Sequence, residues 1–282
     1  MSDSDSTVPE LACHDLLTTG SVMVRDVVCG GGCRHKSPEE CAQSTHLVFP
    51  YRGVFLRHLG RTEAVAESNQ VMIFNPNEGY RISHPINGGD ACLSLSIGEE
   101  WLRELVPTEY LLPGAVLAFG KQHLGIDPRA QALVATLRYS LHQKIAEPLE
   151  GETLALTLVR RVLGEKVQGA AATAGRRKLV ERTKLLLSTD LARRWSLADI
   201  GAEIGCSPVY LTQVFQQLEG TPLYRYQLRL RLARALELLS TAPDLAALGM
   251  DLGFSSHSHF SSAFRQAYGR TPAQFQRSFK LR

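Results

Sequence analysis

A repeat near the C-terminus does most to narrow what this chain can fold into. Residues 196–220 read SLADIGAEIGCSPVYLTQVFQQLEG. Ser196 with Asp199 three residues later has the pattern of a helix N-cap pair. Leu197, Ile200 and Ile204 then fall on one helical stripe. Gly205 suits the left-handed residue that stops such a helix. Ser207 caps a second helix with Pro208 at its first position. Leu211, Val214 and Phe215 make its inward face, and Gly220 closes it. Residues 244–269, DLAALGMDLGFSSHSHFSSAFRQAYG, repeat the grammar. Asp244 caps, Leu245, Leu248 and Leu252 form the stripe, and Gly253 makes the turn. Ser256 caps again, Phe260, Ala263 and Phe264 face inward, and Gly269 ends the unit. Aligning Phe215 with Phe264 pairs Ser207 with Ser256 and Gly220 with Gly269. Each unit runs into Thr-Pro just beyond its closing glycine.

Helix, tight turn, helix is the layout whose second helix enters a DNA major groove. Charge points the same way. Residues 171–282 carry 16 Lys and Arg against 8 Asp and Glu, while the other 170 residues carry 15 against 20. A basic C-terminal third attached to an acidic remainder fits a polyanionic partner. Between the two units, TPLYRYQLRLRLARALELL predicts one long helix bearing Arg225, Arg229, Arg231 and Arg234.

With these motifs in register, the segment from about Lys178 to Gln276 resembles the AraC/XylS family of bacterial transcription regulators. The likeness rests on IGAEIGCSPVYLTQVFQQLEGTPLYRYQLRLRLARALELL, on LGFSSHSHFSSAFRQAYGRTPAQF and on the spacing between them, about a third of the chain. The resemblance implies two reading helices set into successive major-groove segments on one face of double-stranded DNA. Carried over by position, the base-reading face is Pro208, Val209, Thr212, Gln213 and Gln216 on the first. On the second it is His257, Ser258, Ser261 and Ser262. Gln213 suits an adenine edge and Val209 a thymine methyl. Arg231, Arg234, Arg265 and Arg270 are the expected phosphate contacts, which position without specifying. Family members often carry arginine where this chain has Ser262, so weaker base readout is expected from the second unit. His257 and His259 lie two apart on a helix and diverge by about 200°. They are not expected to chelate one metal.

The first hundred residues follow a different rhythm. VMVRDVV, THLVFPY, GVFLRHL, QVMIF, YRIS and CLSLSI are short apolar runs broken by turns such as Asn75-Pro76-Asn77-Glu78-Gly79. This predicts an antiparallel barrel or sandwich. Residues 1 to about 15 read as a loose tail. DPRAQALVATLRYSLHQKI and LEGETLALTLVRRVLGEKV space their apolar residues as amphipathic helices do. They are expected to pack on the barrel, to contribute to a homodimer, or both. QGAAATAGRR, residues 168–177, reads as a linker. The expected fold class is therefore α+β. A cupin-like sensor and dimerisation domain with appended helices occupies 16–167, and an all-α double helix-turn-helix domain occupies 178–282. The cupin likeness and the sensory role are implied by the family resemblance.

Cys29, Cys33, His35 and Cys41 crowd into CGGGCRHKSPEEC, with Cys92 on a later strand. Thiolate and imidazole suit zinc or copper, but the spacing matches no structural zinc pattern, and buried or incidental cysteine is the commoner fate. No metal or cofactor is assigned from sequence. His35, His46, His58 and His84 stand isolated, and no His-x-His precedes residue 257, which argues against a metal-dependent cupin enzyme. Arg52, Tyr80 or Arg81 are possible holders of an anionic effector. With no apolar run near the roughly 20 residues of a membrane span and a polar N-terminus, a cytoplasmic protein with reduced thiols is expected. The reading is a DNA-binding regulator, an activator by family habit. Its partners would be an unknown small-molecule effector and RNA polymerase. The alternatives are a cupin enzyme fused to a DNA-binding module and a regulator controlled by a protein partner.

Overall fold

The computed structural model describes residues 11–31, 34–113, 117–164 and 173–280. Among the described residues, ten strands occupy the N-terminal part. They are β1 (Leu11–Thr18), β2 (Val22–Cys29), β3 (Glu40–Cys41), β4 (His46–Gly53), β5 (Phe55–Leu59), β6 (Thr62–Ala66), β7 (Gln70–Phe74), β8 (Gly79–Ser83), β9 (Asp90–Ile97) and β10 (His123–Gly125). One sheet runs β1-β2-β9-β4-β7-β10 and the other β3-β8-β5-β6. Every pairing between named strands is antiparallel. All six apolar runs are strands.

The six-stranded sheet is covered on both faces. Cys92, Met72 and Phe74 point toward the smaller sheet and pack with Phe55, Ala64 and Ala66. Leu93, Leu95, Val24 and Ile73 point the other way, into a core shared with the helices that follow. That alternation is the period-two pattern of strands between two layers. The helices are α1 (Glu99–Leu105), α2 (Pro128–His142) and α3 (Pro148–Gly164). The expected tail needs correction, because Leu11–Thr18 pairs along its length with β2 and Leu16 and Leu17 pack on the core.

Among the described residues, seven further helices follow: α4 (Ala174–Thr189), α5 (Leu197–Ile204), α6 (Pro208–Glu219), α7 (Leu223–Leu238), α8 (Leu245–Asp251), α9 (His257–Tyr268) and α10 (Pro272–Lys280). The expected linker lies outside the described residues as far as 172; Thr173 then caps α4, which takes in 174–177. The repeat folds as its punctuation requires. Ser196 and Asp199 form a reciprocal capping box, and Ser207, Asp244 and Ser256 cap the next helices. Gly205, Gly220 and Gly269 take left-handed conformations at the ends of α5, α6 and α9. One stripe residue departs from expectation, since Leu197 is 44% exposed.

The linking helix α7 belongs to both units. Leu223, Tyr226 and Leu230 enter the first core with Ile200, Leu211 and Phe215. Leu232, Ala235 and Leu236 enter the second with Leu252, Phe260 and Phe264. At 1.5 Å per residue its 16 residues span about 24 Å.

Candidate nucleic-acid interface

Helices α6 and α9 present polar faces to solvent. On α6, Gln213 and Gln216 are exposed and Thr212 is half-buried; the side chains of Pro208 and Val209 lie outside the described residues. On α9, His257, Ser258, Ser262 and Arg265 are exposed and Ser261 is half-buried. Opposite them, Leu211, Val214 and Phe215, and Phe260, Ala263 and Phe264, are buried. The two histidines are used locally. His257 Nε2 is 3.3 Å from Ser261 Oγ, and His259 Nδ1 is 3.0 Å from Ser255 Oγ with its ring against Phe254. Arg270, just beyond α9, is also exposed.

Two of the expected phosphate contacts are corrected. Arg231 is 9% exposed. Its guanidinium donates to the backbone oxygens of Leu191 at 2.6 Å, Arg193 at 2.9 Å, Gly253 at 3.1 Å and Ala192 at 3.4 Å. The first three carbonyls in chain order belong to the loop before α5, and the fourth to the turn between α8 and α9. Arg231 is therefore a bolt between the two helix-turn-helix units. Gly253 shows how close the two backbones come. Its φ is +82°, and a Cβ there would lie 2.3 Å from the Ala192 carbonyl oxygen. The second correction is Arg234, which is half-buried and ion-paired with Glu237 on its own helix. Glu237 also approaches Arg52 of β4 at 4.0 Å. Arg234 thus faces the N-terminal part.

Both units are attached to the N-terminal part, through different elements. The turn between β6 and β7 carries Glu67, Ser68 and Asn69. The buried Glu67 carboxylate accepts from the Tyr226 hydroxyl of α7 and from the Asn69 backbone N–H. Asn69 Nδ2 donates to the Tyr226 carbonyl at 3.3 Å. Glu181 of α4 accepts from the Val65 backbone N–H. Lys184, fully buried, bridges Glu181 at 3.1 Å and Glu219 at 2.7 Å. Burial pulls its ammonium pKa down, but Glu219 and Glu181 more than offset this and hold it raised. Burial pushes Glu67 up to about 7 against the hydrogen bonds of Tyr226 and Asn69 and the charge of Lys184, with Glu219 adding to the rise.

The second unit is held by α2. Gln131 donates to Ser68 O and to Asn69 Oδ1, each at 2.9 Å, and accepts from the Tyr268 hydroxyl of α9 at 3.2 Å. Tyr139 donates to the Phe279 carbonyl of α10 at 2.7 Å and stacks on the Phe279 ring. The expectation of a dimer seam along both long helices is narrowed by this. One side of α2 is in the core between the larger sheet and the helices, and Ala132, Ala135 and Tyr139 pack on the second helix-turn-helix core.

The other sequence candidates separate. Arg81 is engaged by Ser37 O and Glu39, and Tyr80 reaches Glu40 and packs edge-on against Phe74. Cys41 sits on β3 opposite Gly79, His35 is exposed in the segment before it, and Cys33 lies outside the described residues. His58 is bound to Ser83 and Glu63. Cys29 lies opposite Asp90 in the β2–β9 ladder, and Asp90 contacts both Cys92 and His84. Burial and the Asp90 carboxylate push the Cys92 thiol pKa well up. In the sequence Asp90 belongs to no motif and His84 stands isolated; only the strand register, which sets Asp90 across from Cys29, brings them together. No described helix is long and apolar enough to cross a membrane.

A family profile described as a helix-turn-helix domain matches residues 200–278. Over 235 residues the chain is 26% identical to a probable transcriptional regulator, LumQ, of Photobacterium leiognathi, covering 80% of this chain and 89% of that protein. It is 35% identical over 98 residues to YidL, an uncharacterized HTH-type transcriptional regulator of Escherichia coli K12; that match covers 34% of this chain and 33% of YidL. Among solved structures, a transcriptional regulator from Chromobacterium violaceum described as of AraC-type DNA-binding domain is 31% identical. The match covers 39% of this chain and 98% of that one, with a TM-score of 0.36.

Two outcomes follow from the contacts. Arg231→Lys is expected to lower stability by about 2–3 kcal/mol, because a single ammonium cannot satisfy four separated carbonyls; denaturant unfolding measures it. Glu67 is neutral in both the folded and the unfolded chain below pH 4.5, then holds its proton in the folded state while the unfolded state loses it. Its contribution to stability therefore falls as pH rises from 4.5 to about 7 and levels off above. Glu67→Gln is expected to flatten the decline of Tm over that window, read by thermal melts across pH.

Proposed function

The chain is a transcriptional regulator with an AraC-type helix-turn-helix DNA-binding domain, and from that premise we propose that α6 and α9 read two successive major-groove segments of one DNA site. The observation that carries the reading is the pair of exposed polar helix faces on units bolted together through Arg231. Thr212, Gln213 and Gln216, with Pro208 and Val209 at the leading edge of α6, contact bases in the first segment. His257, Ser258, Ser261 and Ser262 face the second, where short hydroxyls leave more of the affinity to phosphates and DNA shape. Arg265 and Arg270 take phosphates.

The two-sheet part, bounded by the linker at residues 168–177, serves as a cupin-like sensor. It acts on the reading helices through Glu67, Gln131 and Tyr139. A small-molecule effector alters the grip of the β6–β7 turn and of α2 on the two units. A homodimer would double the DNA contacts and raise avidity, and the outward face of α3 is available for it. RNA polymerase is the further partner, with activation as the output and no catalytic step.

Selection of bound sequences from a randomised DNA pool tests this reading. A reproducible motif of two parts about one helical turn apart is expected; uniform binding to all sequences counts against it. Gln213→Ala should relax preference at one position of the motif while sparing non-specific affinity. Arg265→Ala should weaken all sequences alike and flatten the slope of log K against log salt by about one; an unchanged slope removes it from the phosphate contacts.

A further inference from the structure

The strand ends at one edge of the sandwich bring together a cluster that the DNA-binding reading does not use. Cys29 closes β2, Asp90 opens β9 and His84 follows β8, so the three come from both sheets. One potential ligand atom from each of Cys29, His84 and Asp90 lies within 4.8 Å of the other two. The approach of the backbones makes this possible. Gly89 has φ +66°, and a Cβ there would lie 2.0 Å from the Cys29 carbonyl oxygen. The residue before Asp90 must therefore be glycine if the end of β2 is to sit against the start of β9.

The chemistry of the donors is specific. His84 and Asp90 are 4% and 5% exposed. His84 Nε2 and Asp90 Oδ1 are 2.6 Å apart, while His84 Nδ1 is buried and meets no hydrogen-bond partner among the described residues. If the ring is neutral and donates from Nε2 to Asp90, Nδ1 is a bare, buried lone pair. If the ring is charged, Nδ1 is a buried donor with no acceptor among the described residues. Either state carries the cost of an unmet polar group; the His84 nitrogen that faces Asp90 is Nε2, so an ion held by both would take the place of the proton shared there. Asp90 Oδ2 also accepts from the Cys92 thiol at 3.0 Å, which fixes the carboxylate from its far side. A thiolate and a carboxylate together carry two negative charges, which a divalent ion neutralises in a site where unpaired charge is disfavoured.

We propose that Cys29, His84 and Asp90 form a binding site for a thiophilic divalent cation of the zinc class. Sulfur, imidazole and carboxylate are donors zinc accepts, and three protein ligands leave one position open. Cys92 is a positioning residue for Asp90. A bound ion would tie β8 of the smaller sheet to β2 and β9 of the larger. The site stands apart from the DNA-binding reading, and its test reads metal alone.

The test is titration of the reduced, metal-stripped full chain with Co2+, a spectroscopic stand-in for zinc. One equivalent is expected to saturate a thiolate-to-cobalt charge-transfer band in the near ultraviolet, and Zn2+ should abolish it by displacement. Cys29→Ser should remove the band, and His84→Gln should weaken binding about tenfold or more. Cys41→Ser, whose thiol lies on β3, should leave it intact. A wild-type chain that gives no saturable thiolate band overturns the proposal, as does a band that survives Cys29→Ser in a chain with wild-type far-ultraviolet dichroism. The wild-type titration and the zinc competition decide the matter even if a variant fails to fold.

Discussion

Everything at the DNA-facing end of this molecule depends on one guanidinium. Two helix-turn-helix units joined by a helix would, by themselves, be free to rotate about it as α7 flexes. Arg231 prevents that by satisfying carbonyls from the loop before the first unit and from the turn inside the second. Only arginine offers five donors in a rigid plane that can serve several acceptors at once. The approach of Gly253 to Ala192 is the steric counterpart of that bond set. Burying the charge costs solvation, and burial accordingly pulls its pKa down, but hydrogen bonds to a charged group offset the loss. What the chain gains is a fixed relation between α6 and α9.

Under the proposed function, a fixed relation between α6 and α9 gives the N-terminal part something rigid to act on. The β6–β7 turn holds the first unit through Tyr226 and, by way of Gln131, shares a hydrogen-bond chain with Tyr268 of the second. These contacts are polar and buried, so they are sensitive to small displacements in a way that an apolar face is not. Glu67 shows the tension. It sits fully buried between a tyrosine hydroxyl and a lysine already shared by two other carboxylates. Under the proposed function, that is where a change in the sandwich would be felt by the helices that meet DNA.

The C-terminal architecture was legible in the sequence because its punctuation is local. Ser196, Ser207, Asp244 and Ser256 cap, and Gly205, Gly220 and Gly269 turn, for reasons that reach no further than four residues. Short apolar runs broken by turn residues likewise mark six of the strands. What could not be read there depends on partners distant in sequence. Arg231 looks like any arginine of a basic helix until the carbonyls of residues 191–193 and 253 are placed around it. The strand at Leu11–Thr18 is mostly exposed and lacks an apolar period, and its existence rests on pairing with β2. The cysteine cluster shows the same limit. Proximity in sequence grouped Cys29 with His35 and Cys41, whereas strand register grouped it with Asp90 and His84.

Under the proposed function the two reading faces are unequal, and the bolt between them makes the inequality useful. Long amides on α6 can reach base edges, whereas Ser258, Ser261 and Ser262 on α9 are short, and His257 is turned toward Ser261. A second unit that reads few bases would contribute little specificity if it were loosely tethered. Held at a set distance and angle, it still imposes a geometric demand, because its phosphates must lie where the first unit's base contacts put them. DNA that meets that demand without bending is favoured over DNA that does not. The second unit can thus select sequence through shape, and the selection is only as sharp as Arg231 is rigid.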